Sequence, residues 1–307
     1  MIQAILECIN QQIEDNLYRG ASVALFHNGQ WEEHYIGSID GENPVHEGLV
    51  YDLASVSKVV GVGTLIIFWI NSGALKLDEP LVTYYPDFHD GTVTLRQLLT
   101  HTSGIDPYIP NRNEMDAYQL KMAINQIRVT DDKSFKYTDI NFLLLGFMLE
   151  RLSGKNLDAL LTKEIFKPLG LIETTFGPVP NAVPTIRGIT DGLVHDPKAK
   201  VLGQHAGSAG LFSTLRDLER FSMHYLEDDF AQYLWQNYSQ GKKTRSIAWN
   251  LEGNWIEHTG YTGPFVMINL KEQKAAIFLT NRTYDYDDRP LWIAKRQELR
   301  QIIAKSL

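Results

Sequence analysis

A chain of 307 residues with 44% hydrophobic and 21% charged side chains has the composition of a folded, enzyme-sized protein, which excludes the disordered and fibrous classes. Its formal net charge of −8 repels phosphate backbones and anionic lipid, so no nucleic-acid or membrane-surface partner is expected. Cys8 is the only cysteine, which excludes an internal disulfide and a thiolate-rich metal site.

Met1 to Arg19 places Ile2, Ile5, Leu6, Ile9, Ile13 and Leu17 at helical spacing among Glu7, Glu14 and Asp15, the pattern of an amphipathic docking helix. No basic leader precedes an unbroken apolar stretch. The longest apolar run, Val59 to Ile70, is short of the roughly 20 residues that span a bilayer. A cytoplasmic protein without a membrane span is the expectation.

Ala21 to Phe26 and Trp31 to Ile36 read as strands around Asn28-Gly29, a pair suited to a tight hairpin turn. Helical character follows in the run after Lys58, in Arg96 to Leu99, in Tyr118 to Ile127, and in Ile140 to Leu152 closed by Gly154. Ile247 to Leu251, Trp255 to His258, Pro264 to Leu270 and Ala275 to Thr280 read as antiparallel strands, and Pro290 to Ile303 as a closing helix. Because sequential strands are usually neighbours, an α+β (α/β) fold is predicted. Residues 1-54 and 191-307 form one lobe, a mixed antiparallel sheet flanked by the terminal helices. Residues 55-190 form an inserted all-helical lobe.

Three short stretches carry candidate chemistry. In Ser55-Val56-Ser57-Lys58, a helix would put Ser55 and Lys58 on one face and Ser57 on another. A serine hydroxyl needs a base before it is a nucleophile. Burial of Lys58 against the apolar run would lower its pKa and free an amine, and the helix start offers unpaired amides to an oxyanion. The same four residues also fit a plain helix start with a solvated lysine. Tyr137-Thr138-Asp139 precedes the apolar segment from Ile140; it fits a helix cap beside a core aromatic or a tyrosine poised to relay a proton. His258-Thr259-Gly260-Tyr261 ends a strand, either as a polar turn or as an edge whose glycine lets a ligand approach.

Tyr137 lies 82 residues after Ser55, and His258 121 residues after that. In this order the three motifs resemble the serine beta-lactamase and penicillin-binding-protein superfamily, in its class C beta-lactamase, DD-carboxypeptidase and esterase branch. Gly73 to Asp78 with Tyr85-Pro86, Leu98 to Gly104, Pro168 to Leu171 with Thr174, His205 to Thr214 and Leu279 to Arg282 extend the resemblance over residues 20 to 285. It implies a site in the groove between the lobes. Ser55 would be the acylated nucleophile, Lys58 its partner and Tyr137 the proton shuttle. The N–H groups of Ser55 and Tyr261 would form the oxyanion hole, with Thr259 and Gly260 along the substrate edge. Neither metal nor organic cofactor is implied, and the partner is a small ester, amide or D-amino-acid peptide.

Two positions depart from that branch. Asp139 stands where asparagine is common; an ionised carboxylate only accepts hydrogen bonds, and beside Lys58 it would favour the ammonium and shift the base role to Tyr137. His258 stands where lysine is common, and a neutral imidazole attracts a substrate carboxylate less. Three other readings remain. Ala206-Gly207-Ser208-Ala209-Gly210 is close to a Gly-x-Ser-x-Gly elbow, though Val201 to His205 is a poor strand to precede one. A non-catalytic scaffold that binds a peptide or partner protein is the second. A zinc site is the third, but His195 with Asp191 and Asp196 reads better as a hydrogen-bonded loop.

Overall fold

The computed structural model describes residues 2–307. After the Ile2–Glu14 helix come β1 (Gly20–His27) and β2 (Gln30–Gly37), joined at Asn28 and Gly29 with φ of 52° and 77°. Positive φ at both central residues is the turn whose twist matches the flanking strands. Three short strands, β3 (Val50–Asp52), β4 (Thr175–Phe176) and β5 (Leu211–Thr214), form a small sheet in the order β3-β5-β4. The remaining strands are β6 (Asn250–Glu252), β7 (Trp255–Thr259), β8 (Phe265–Asn269) and β9 (Lys274–Leu279). They join the first hairpin in an antiparallel sheet ordered β2-β1-β9-β8-β7-β6.

Successive side chains of β1 serve two cores, as the two-residue strand period requires. Val23 and Leu25 meet Ile5 and Ile9 of the first helix and Trp292 and Leu299 of the last, Arg289–Ser306. Ala24 and Phe26 face the main core, where Leu218, Phe221 and Tyr225 of a Leu215–Glu227 helix cover the other side. That core is continuous with the Ile140–Ser153 helix, ten of whose residues are buried.

Several expectations are corrected. The middle segment is not wholly helical, because β4 pairs with β5. Ile247 to Leu251 is strand only from Asn250; Ser246 N–H bonds the Trp249 carbonyl and Ala248 takes φ 69°, so the chain turns to bury Trp249 instead of extending. The apolar run after Lys58 belongs to a longer helical stretch, Ala54–Asn71, long and apolar enough to cross a membrane, yet 72% of it is buried inside the fold. It opens as a 3-10 turn, passes through a π turn at Val59–Gly63, and continues as α-helix from Thr64.

Candidate active site

The turn that delivers Ser55 is held from below by Asp52, a residue the sequence did not single out. One carboxylate oxygen of Asp52 accepts the Ala54 N–H at 2.8 Å and the other accepts the His195 N–H at 2.7 Å. Burial, which outweighs these bonds, pushes its carboxyl up to about 6. Ala54 sits at φ 46°, a left-handed conformation that costs a non-glycine residue about 1–3 kcal/mol. Asp52→Ala removes the clamp and orphans two backbone donors at about 1–3 kcal/mol each. A melting temperature lowered by roughly 5–15 °C, with activity falling alongside, is the expected calorimetric and kinetic outcome.

Lys58 is fully buried directly behind Ser55. Its Nζ lies 2.9 Å from Ser55 Oγ, 2.8 Å from Asp139 Oδ1 and 2.9 Å from the Ser208 carbonyl. Ser57 faces elsewhere, its hydroxyl accepting the Leu211 N–H. Three partners suit an ammonium with three donors, or an amine with two donors and one lone pair. Charge decides between them. Burial alone favours the amine, but Asp139 and Tyr137 together outweigh it and hold Lys58 above the ordinary lysine value. The expectation of a freed amine is therefore corrected in favour of an ammonium, as Asp139 in place of an amide implies.

Asp139 begins the Ile140–Ser153 helix and uses both oxygens. Oδ2 lies 2.9 Å from Lys198 Nζ, on the short Pro197–Leu202 helix. Lys58 and Lys198 together overcome the burial that would raise the Asp139 carboxyl, and hold it below the usual aspartate range. Tyr137 remains 41% exposed. Its ring rests on His101 with centroids 4.4 Å apart, lies 5.2 Å from Lys58 Nζ, and approaches the His258 ring at 6.3 Å. His101 Nδ1 faces the Asn141 amide at 2.9 Å and the Thr138 N–H at 3.4 Å, which leaves the ring hydrogen on Nε2. Burial, with Arg245 and Lys58 nearby, keeps His101 well below the usual histidine value, hence neutral.

The opposite wall is the end of β7. His258 is buried, neither ring nitrogen has a partner among the described residues, and burial with Lys58 and Arg245 keeps it neutral. Gly260, expected at the substrate edge, lines the cleft and also makes room for the Ser55 turn. A Cβ there would fall 2.8 Å from the Leu53 carbonyl oxygen and 3.2 Å from Ala54 Cβ. The absence of a side chain thus draws the Thr259-Gly260-Tyr261 backbone against the turn that carries Ser55. The Tyr261 hydroxyl donates to Asp287, Arg282 bonds the Tyr261 carbonyl at 2.8 Å, and His195 stacks on the Tyr261 ring at 5.6 Å.

Ser55, Tyr137, Asp139, His258, Thr259, Gly260 and Tyr261 all line one cleft of about 750 Å³, with Lys58 beneath it. His101, from the Leu98 to Gly104 stretch that carries part of the resemblance, completes the surroundings together with Asp52, Lys198 and Arg245, which have no sequence signal of their own. Ser208 is fully buried and follows helical turns at Pro197–Leu202 and Gly203–His205, without the strand an elbow needs. Its contribution is the carbonyl that faces Lys58. His195 pairs its Nδ1 with Thr185 Oγ1 at 3.1 Å, and Asp196 caps the helix that carries Lys198.

A serine hydroxyl at the head of a core helix, bonded to a buried lysine four positions into the same motif and set against an antiparallel strand end, defines a serine hydrolase. The chain belongs to the beta-lactamase family, whose model, described as Beta-lactamase, matches residues 6–300. It is 26% identical to an Escherichia coli (strain K12) protein named as a D-alanyl-D-alanine carboxypeptidase, over 81% of this chain and 73% of that one. The fold is similar to a beta-lactamase/D-alanine carboxypeptidase from Pseudomonas syringae, with TM-score 0.78 and 20% identity over 98% and 97% of the two chains. It is also similar to EstCE1, described as a hydrolase with promiscuous acyltransferase activity, with TM-score 0.75 and 17% identity over 97% of each chain.

Proposed function

We propose that this serine hydrolase cleaves small peptides or esters through an acyl-enzyme on Ser55. The observation that carries the reading is the 2.9 Å contact between Ser55 Oγ and a Lys58 that Asp139 keeps charged. An ammonium can orient the hydroxyl and offset negative charge, but it has no lone pair to take the proton. Tyr137, in the same cleft, is therefore the proton carrier. As the Ser55 Oγ–carbonyl bond forms and the bond to the leaving group breaks, the Tyr137 oxygen accepts the serine proton while its own hydroxyl proton passes to the departing amine or alcohol. Water then enters by the reverse route and releases the acid. The N–H groups of Ser55 and Tyr261 are the donors that stabilise the tetrahedral oxygen.

The cleft also bears on substrate. His258 is neutral and holds no carboxylate by charge, but Arg282, Arg289 and Arg296 line the same cavity. A cationic wall inside a chain of net charge −8 favours a substrate with a free carboxylate, as the end of a D-amino-acid peptide has. The carboxypeptidase name of the curated relative agrees with that reading. Mass spectrometry after exposure to a fluorophosphonate and to benzylpenicillin tests it. A single adduct on Ser55 that is lost in Ser55→Ala, together with loss of turnover, is expected; an unmodified Ser55 with turnover intact in Ser55→Ala overturns it.

A further inference from the structure

Lys198 is the one cleft side chain that touches the Ser55–Lys58–Asp139 chain of contacts from outside the three motifs. Its ammonium has three donors. Two partners are in place, Asp139 Oδ2 at 2.9 Å and Asp196 Oδ2 at 3.5 Å. One N–H is left over. The side chain is only 12% exposed, and it lines the same cavity as Ser55 and Tyr137. For a nearly buried cation that lines a cleft, a ligand oxygen is a favourable partner for the remaining donor.

We infer that Lys198 is a specificity-determining residue that donates a hydrogen bond to an oxygen acceptor on the acyl portion of the substrate. Asp139 accepts from Lys58 but, as a carboxylate, has nothing to donate to a ligand; Lys198, held on its second oxygen, supplies the missing donor. Asp139 and Lys198 thus act as a unit with one acceptor face toward the serine machinery and one donor face toward the substrate. The acyl side is assigned from exposure. Tyr137, which hands the proton to the leaving group, sits at the open mouth with 41% of its surface exposed, whereas Lys198 lies deep. The group that departs leaves past Tyr137, and the group that stays on Ser55 is the one Lys198 reaches. A peptide carbonyl next to the scissile acyl group is the acceptor this geometry suits.

This inference rests on Ser55 being the acylated residue, and the test separates the two. Hydrolysis of p-nitrophenyl butyrate, whose acyl chain has no second acceptor, is compared with that of the p-nitrophenyl ester of N-acetylglycine, which carries an amide carbonyl. Lys198→Met is expected to lower kcat/KM for the N-acetylglycine ester by about 10- to 100-fold, the worth of one hydrogen bond to a charged group. The butyrate ester shares only the smaller loss that follows from a weaker hold on Asp139, so the readout is the ratio of the two kcat/KM values, which should fall by about tenfold. Lys198→Gln, which keeps an N–H donor and preserves packing, should retain an intermediate preference. Equal losses on both esters, or no change on either, in a variant whose Ser55 still forms an adduct, overturns the role of Lys198 alone. Failure of the wild-type enzyme to form any Ser55 adduct overturns the acyl-enzyme reading and this inference with it.

Discussion

Tyr137→Phe will lower kcat by about 10²–10⁴-fold, the usual worth of a positioned proton carrier, while KM and the melting temperature stay near their wild-type values. The variant deletes one oxygen from a partly exposed ring and leaves the contact with His101 in place, so no cavity forms and no buried donor is orphaned. Stopped-flow measurement of p-nitrophenol release separates acylation from deacylation. Both steps should slow, because one group serves both proton transfers. If Lys58 were the base instead, the tyrosine hydroxyl would be dispensable and kcat would fall less than about tenfold. The distinction follows from Asp139: its carboxylate holds Lys58 as an ammonium, and the tyrosine is the remaining carrier in contact with it.

Most of this architecture is legible in the sequence, because the features that reveal it are local. The Asn28-Gly29 turn, the period-two strands at both ends and the apolar segment before Gly154 each declare themselves within a window of ten or so residues. The three motifs were legible for the same reason, and the structure brings their side chains to one cleft. What was hidden depends on partners far apart in the chain. Asp52 clamps a backbone N–H 143 positions away at His195, and nothing in its neighbours marks it. Lys198 finds Asp139 only because the Pro197–Leu202 helix packs close to the Ala117–Asn125 helix and the site. Two glycines that position parts of the site were visible as residues but not as contacts. Gly260 makes room for Leu53 and Ala54, and a Cβ on Gly207 would fall 2.3 Å from the Phe142 carbonyl oxygen. The second close approach fixes the neighbouring Ser208 carbonyl over Lys58, a role with no side-chain signature. The missed Leu215–Glu227 helix has buried Asp217 and Glu219 among its apolar residues. Asp217 accepts from Thr174 and the Glu173 N–H, so a charged residue there reports a tertiary contact and not a solvent face.

Lys58→Met carries the largest combined effect on catalysis and stability, and its pH dependence identifies the cause. The methionine keeps most of the volume but removes the ammonium that orients Ser55 Oγ and offsets charge on the reacting oxygens; kcat should fall by at least about 10³-fold, as for loss of a preorganised electrostatic partner. It also leaves the Ser208 carbonyl unpaired and halves the charge around Asp139. Removing one partner of a buried pair costs about 3–5 kcal/mol; because Lys198 still holds Asp139 Oδ2, about 3 kcal/mol is expected, or a melting temperature lower by roughly 5–10 °C. The sign of the linkage sets the window. Asp139 is held below its ordinary value of 3.8, so its share of stability is present above that pH and fades as the pH falls toward its lowered value. Lys58 is held above its ordinary 10.5, so its share is present below that pH and is lost as the pH rises through its raised value. Chemical denaturation of the two proteins should therefore show a gap that is flat from about pH 5 to pH 9 and narrows on the acid side. Asp139→Asn should cost less stability in the Lys58→Met background than in the wild-type protein, because only the Lys198 contact then remains to be lost. A gap of constant size down to pH 2, or equal costs of Asp139→Asn in the two backgrounds, would locate the cost in packing around the Lys58 methylenes and not in the ion pair.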